Sequence, residues 1–125
     1  MTQFSTMATI HIKRIYEPSN EADGLRVLVD RLWPRGVKKE TANIDLWLKE
    51  VAPSTELRKR FHGAALNWEE FRAKYMLELD KIDAFNNLLA IAKKNNIVTL
   101  LYAARDEQQN HALILQQLLK AAAGH

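Results

Sequence analysis

Apolar positions recur along this chain with two periods. From Ala8 to Tyr16 they alternate in part, with Ile10 and Ile12 pointing one way and His11 and Lys13 the other. That spacing predicts an edge or near-edge strand. Leu25 to Leu32 reads as a second strand, with Leu25, Val27 and Val29 on one face and Leu28 and Leu32 on the other. Both of its faces are then largely covered. Ile97 to Ala103 is short and nearly all apolar, as in a central parallel strand buried on both sides.

Elsewhere the period is helical. Ile44 to Val51 predicts a short helix capped by Asn43 and ended by Pro53. Ser54 is placed to cap a helix over Thr55 to His62, with Gly63 as its stop. Asn67 and Glu70 have the spacing of a capping box. Trp68, Phe71, Tyr75, Leu79 and Ile82 then form one apolar stripe. Asp83 opens another helix, with Phe85, Leu88, Leu89 and Ala92 facing inward and Asn95-Asn96 closing it. Glu107 to Ala123 is the last helix, with Ala112, Leu115, Leu119 and Ala122 on one side.

The connections decide topology. Glu17 to Gly24 carries Pro18, Ser19, Asn20, Asp23 and Gly24, which is turn chemistry. Its shortness favours an antiparallel hairpin between the first two strands. About sixty residues of helix separate the second strand from Ile97, and so long a crossover favours a parallel pair. The expected fold is a single α/β domain over residues 8–123, a small, at least partly parallel central sheet flanked by helices. Residues 1–7 are expected to be a disordered extension.

Composition narrows the chemistry. The chain has 125 residues, 47% of them apolar, enough for one core without staples. It has no cysteine, which removes thiol catalysis, disulfides and cysteine-ligated zinc. His11, His62, His111 and His125 have no ligand spacing, so neither a metal site nor a cofactor is expected. No apolar run approaches a membrane span, and Met1 to Thr6 lacks the build of a signal peptide, so the cytoplasm is the expected location. The net charge is +3. All of the excess lies in residues 1–65, which hold 11 basic and 8 acidic side chains. That is small for nucleic-acid binding and compatible with a local site for a small anion.

If the second and last strands are parallel, their carboxyl ends share one edge of the sheet, where open α/β sheets bind ligands. Leu25 to Gly36 delivers Asp30, Arg31, Trp33 and Arg35 there. Ile97 to Ala103 delivers Tyr102, then Arg105 and Asp106, with Asn110 and His111 in the early part of the last helix. Arginine suits a bidentate grip on phosphate or carboxylate. Arg31, Arg35 and Arg105 are the candidate anion ligands. Asp30, Asp106 and His111 are the candidate acid–base groups, with Trp33, Tyr102 and Asn110 against the ligand. Arg31 is expected to pair with a carboxylate, which leaves Arg35 as the freer charge. Each residue also has a structural reading: Asp30 in an ion pair with Arg31 or Arg105, Trp33 and Tyr102 in the core, His111 on the helix surface. Trp68, Phe71 and Tyr75 are core. There is no phosphate-binding loop, dinucleotide fingerprint or nucleophile elbow.

The run from Arg26 to Gly36, Trp47 with Ala52-Pro53-Ser54 and Glu56-Leu57-Arg58, and Leu100 to Ala103 with Arg105-Asp106 and Asn110-His111 resemble the bacterial family called domain of unknown function 488. The resemblance extends from Ile10 to Leu119. It implies a small α/β domain and supplies no established reaction. The functional expectation is therefore a small cytoplasmic enzyme or binding domain for an anionic small molecule. The alternative is a non-catalytic module that contacts nucleic acid, through Lys38, Lys39 and Arg58 to Arg60, or a protein partner through its helical face.

Overall fold

The computed structural model describes residues 9–123. The extension expected over residues 1–7 lies outside the described residues. Four strands, β1 (Thr9–Arg14), β2 (Leu25–Leu28), β3 (Leu46–Trp47) and β4 (Ile97–Tyr102), form one sheet in the order β1-β4-β2-β3. All three pairings are parallel. The helices are α1 (Lys39–Ala42), α2 (Thr55–His62), α3 (Trp68–Asp80), α4 (Ala84–Lys94) and α5 (His111–Ala123). Among the described residues no helix is long and apolar enough to cross a membrane.

β2 and β4 are adjacent and parallel, with Val27 opposite Leu100, as the long crossover requires. β1 is an edge strand, and the hairpin expected after it does not form. β1 and β2 both run parallel to β4 and lie on opposite sides of it. Ten residues, 15–24, separate these strands, and an extended chain of that length reaches roughly 33 Å. That exceeds the six-residue length of β1, so the link returns along the sheet with only a single 3-10 turn, Glu21–Asp23, and no α-helix. It passes over β4, where Thr99 Oγ1 donates to the Asp23 carbonyl at 2.7 Å. Gly24 makes this close approach possible. It sits at φ 62°, and a Cβ there would lie 2.3 Å from the Ile97 carbonyl oxygen.

The helix expected from Ile44 to Val51 is also absent. Asn43 adopts the left-handed conformation at the end of α1 instead of capping a new helix. Asp45 exchanges two bonds with the Arg26 backbone, its N–H donating to the carbonyl and its carboxylate accepting the N–H. Leu48 N–H donates to the Leu28 carbonyl at 2.9 Å. The open side of β2 thus captures this stretch as β3, and a short 3-10 turn, Lys49–Val51, follows. An unpaired sheet edge outweighs a weak local helical period.

α2, α3 and α4 begin where the local signals put them; α1 has no side-chain cap and no such signal, and α5 starts late. Ser54 accepts the Leu57 N–H, and Asn67 and Glu70 form the full capping box. α5 starts at His111 rather than Glu107. Asp106 Oδ1 takes the N–H groups of Gln108 and Gln109 into a turn, and Asn110 Oδ1 caps the helix from the Leu113 N–H.

The core lies on one face of the sheet. Ile10, Val27, Val29, Val98, Leu100 and Tyr102 meet α2 to α5 there. Phe61 and Phe71 stack with centroids 4.4 Å apart, and Tyr75 continues the series. The α3 stripe ends with buried Leu79; Ile82, beyond the helix, is exposed. The opposite face carries a smaller cluster, Ile15, Leu28 and Leu101, covered by Trp33, Val37, Ile44 and Trp47.

That opposite face also holds a buried charge network. Arg26 is 5% exposed and bonds Asp23 together with the carbonyls of Asn43 and Ala42. Lys13 adds two 3.1 Å contacts to Asp23. Burial alone would raise the Asp23 pKa, but the bonds from Lys13, the Asn20 backbone and Arg26 outweigh it and hold the group below its ordinary 3.8.

A folded pKa below the unfolded one means that this stabilisation is complete above pH 3.8 and is lost as pH falls through the folded value. Acid unfolding followed by circular dichroism should therefore be steeper below about pH 4 for the native chain than for Asp23→Asn. Arg26→Ala should destabilise by about 3 kcal/mol in denaturant melts, because it strips a buried carboxylate of a partner. Phe71→Ala should cost about 3–5 kcal/mol through loss of the stacked core.

Candidate functional site

Three consecutive residues at the carboxyl end of β2 organise the edge of the sheet. Val29, still in the ladder through its N–H to the Leu101 carbonyl, offers its own carbonyl to His111 Nε2 at 3.0 Å. Asp30 Oδ2 accepts the Ala103 N–H at 3.0 Å, tying the end of β2 to the end of β4. The Asp30 carbonyl accepts the Trp47 indole N–H at 2.7 Å. Arg31 reaches across to the 52–53 turn, donating to the carbonyls of Ala52 at 3.0 Å and Pro53 at 3.2 Å. Its expected partner was a carboxylate. The chain instead uses the planar guanidinium to satisfy two carbonyls that the 3-10 turn and α2 leave over.

Beside this brace opens a cleft of about 1110 Å³. Asp30, Arg31, Arg105, Asp106, Asn110 and His111 all line it, so two segments distant in sequence do meet there. α2 and α3 supply the facing wall, with Arg58, Phe61, His62 and Trp68. Among the described residues the side chains of Arg58 and Arg105 have no hydrogen-bond or ion-pair partner. Asn110 is 3% exposed and committed to capping α5, which turns the amino end of that helix toward the cleft. Asp106 is exposed and occupied with its turn.

Trp33, Arg35 and Tyr102 are not in the cleft wall. Trp33 packs on the opposite face, edge-on to Trp47 at 5.4 Å, with its N–H donating to the Val37 carbonyl at 2.7 Å. It fills a gap over the sheet and is not a platform for a ligand in the cleft. Arg35 is exposed in the turn before Gly36, with its carbonyl held by the Tyr16 hydroxyl. Tyr102 is buried in the core. Its pKa is raised by burial first and by Glu107 and Glu17 next, so the phenol is a poor proton donor at neutral pH.

Arg58, Phe61 and His62 were legible only as part of a charged helix. The signal for them lies in α2 itself: with Leu57 buried, positions 58, 61 and 62 share the adjoining flank. A second hollow, about 600 Å³, lies beside α3 and α4. Its wall sets Glu50, Glu78 and Asp83 against Lys81 and Arg31, whose guanidinium is already bonded to carbonyls, so it favours an anion less. Among the described residues no three His, Asp or Glu side chains are grouped to hold a metal ion.

Two substitutions test the brace. Arg31→Ala should destabilise by about 2 kcal/mol in urea melts, the scale of charge-assisted bonds to buried carbonyls. Tyr75→Phe should cost about 1–3 kcal/mol, because it leaves the Val51 carbonyl without its buried hydroxyl donor. No loss in either would mean that the 51–53 turn is held by packing alone.

Residues 9–124 match a protein family described as the inactive DUF488-N3 subclade. The uncharacterised protein YeaO of Escherichia coli (strain K12) is 47% identical over 112 residues, which cover 90% of this chain and 97% of that protein. The uncharacterised protein Rv3073c of Mycobacterium tuberculosis (strain ATCC 25618 / H37Rv) is 38% identical over 110 residues, covering 88% of this chain and 92% of that one. No solved structure matches. The match over nearly the whole chain, together with relatives covered over nine-tenths of their own length, means that this chain belongs to the inactive DUF488-N3 subclade.

Proposed function

We propose that the chain is a binding domain for a small anion, a phosphate or a carboxylate, held in the cleft at the carboxyl ends of β2 and β4. The observation that carries this reading is the pair Arg58 and Arg105. Each comes from a different element, each lines the same cleft, and neither has a protein partner among the described residues. Unpaired guanidinium groups in a concave site favour an oxyanion. The amino end of α5 adds N–H dipoles of the same preference. Phe61 and Trp68 offer an apolar wall for the body of the ligand. The subclade's description as inactive supports binding without turnover.

A thermal-shift screen of the full chain against inorganic phosphate, nucleotides and small carboxylates tests the reading. A true ligand at ~100 times its dissociation constant should stabilise by roughly 2.7 kcal/mol. Arg105→Ala should weaken that ligand by about 1.5–3 kcal/mol and leave the free protein within about ±0.5 kcal/mol. A screen in which no anion raises Tm contradicts the proposal.

A further inference from the structure

We infer that His111 is the hydrogen-bond acceptor of the cleft, and that the anion bound there carries a hydroxyl beside its charged group. The inference rests on the anion reading above and names the class of anion. His111 Nε2 lies 3.0 Å from the Val29 carbonyl oxygen and 3.1 Å from Asp30 Oδ1. A backbone carbonyl only accepts, so the neutral ring carries its proton on Nε2. A lone pair at that nitrogen would face two oxygens at once. Asp30 Oδ1 itself is buried and makes no hydrogen bond among the described residues, because the Nε2–H is aimed at the carbonyl. Its negative charge still favours the protonated nitrogen beside it.

The ring has little freedom to choose otherwise. His111 is the first residue of α5, directly after the cap Asn110. Its ring stands edge-on to Tyr75 at 6.4 Å, and the Tyr75 hydroxyl is itself bound to the Val51 carbonyl. Turning the imidazole over would put a C–H where the N–H meets the Val29 carbonyl.

With the proton on Nε2, Nδ1 keeps its lone pair. Among the described residues no protein group engages Nδ1, and it is not among the buried polar atoms left unpartnered. Nδ1 therefore keeps some exposure, on a residue that lines the cleft. Arg58 and Arg105 supply donors only. A fully deprotonated ligand that reached from the arginines to the neutral ring would set a negative oxygen against the Nδ1 lone pair. A hydroxyl next to the phosphate or carboxylate satisfies both ends. Hydroxylated phosphate monoesters and hydroxy acids are the class that fits.

Two experiments on the full chain test this. Two-bond 15N–1H correlation spectra of histidine-labelled protein, recorded at alkaline pH, should place the proton on Nε2. A proton on Nδ1 overturns the inference without any ligand or variant. Calorimetry should then compare glycerol 3-phosphate with propyl phosphate, which differ in the hydroxyls alone. The native chain should prefer glycerol 3-phosphate by about tenfold. His111→Phe should weaken glycerol 3-phosphate more than propyl phosphate and so narrow that preference; an unchanged ratio overturns the role of His111. His111→Gln, whose side-chain carbonyl can accept, should restore part of it. Equal binding of both esters to the native chain overturns the role of His111 and leaves the anion site standing. Binding of neither removes the anion reading, and this inference with it.

Discussion

The carboxyl end of β2 is tied to four other segments through three consecutive residues. Val29 takes α5, Asp30 takes the ends of β4 and β3, and Arg31 takes the turn before α2. In a parallel sheet the strand ends at one edge have finished their ladder and present unpaired backbone groups. Here those groups are not left to water. They are closed by one carboxylate, one indole and one imidazole, while the Arg31 guanidinium closes the turn before α2. The arrangement fixes where α2 and α5 stand relative to the sheet, and the cleft is the space between them.

This division of labour explains why the charged residues of one motif have such different surroundings. Arg26 is buried under the sheet with Asp23 and holds the link after β1 and the end of α1. Arg31 is spent on carbonyls. Arg35 stands in the open turn. Arg105 and Arg58, from outside that motif, are the cations the cleft has to spare. A guanidinium already bonded to two carbonyls has fewer donors left for a ligand, whereas one without a partner keeps all five.

What the sequence revealed follows the range of the interactions involved. The caps at Ser54 and Asn67 depend on residues three positions away, so α2 and α3 start where expected. β4 was legible because burial on both faces leaves an unbroken apolar run. β3 was not legible, because two residues carry no period of their own. Their pairing is set by the open side of β2 and by Asp45 against Arg26. The direction of β1 was misread for a related reason. The length of the link could not reveal that β4, from the far end of the chain, would occupy the place between β1 and β2. At the candidate site, topology brought six of the nine named residues into one cleft wall, and the facing wall from α2 and α3 was missed. Trp33 and Arg35 lie only a few residues past β2, but Pro34 and Gly36 turn the chain away from that edge.

The central claim is that the ends of β2 and β4, with α2 and α5, enclose a single site for an anion. Backbone amide spectra of the 15N-labelled full chain, titrated with a phosphate monoester, test it most directly. The account predicts saturable shifts at Arg58, Phe61, His62, Arg105, Asn110 and His111, with Lys38, Lys39 and Arg35 unmoved. Shifts confined to those lysines and Arg35, or a spectrum that does not change, would contradict it.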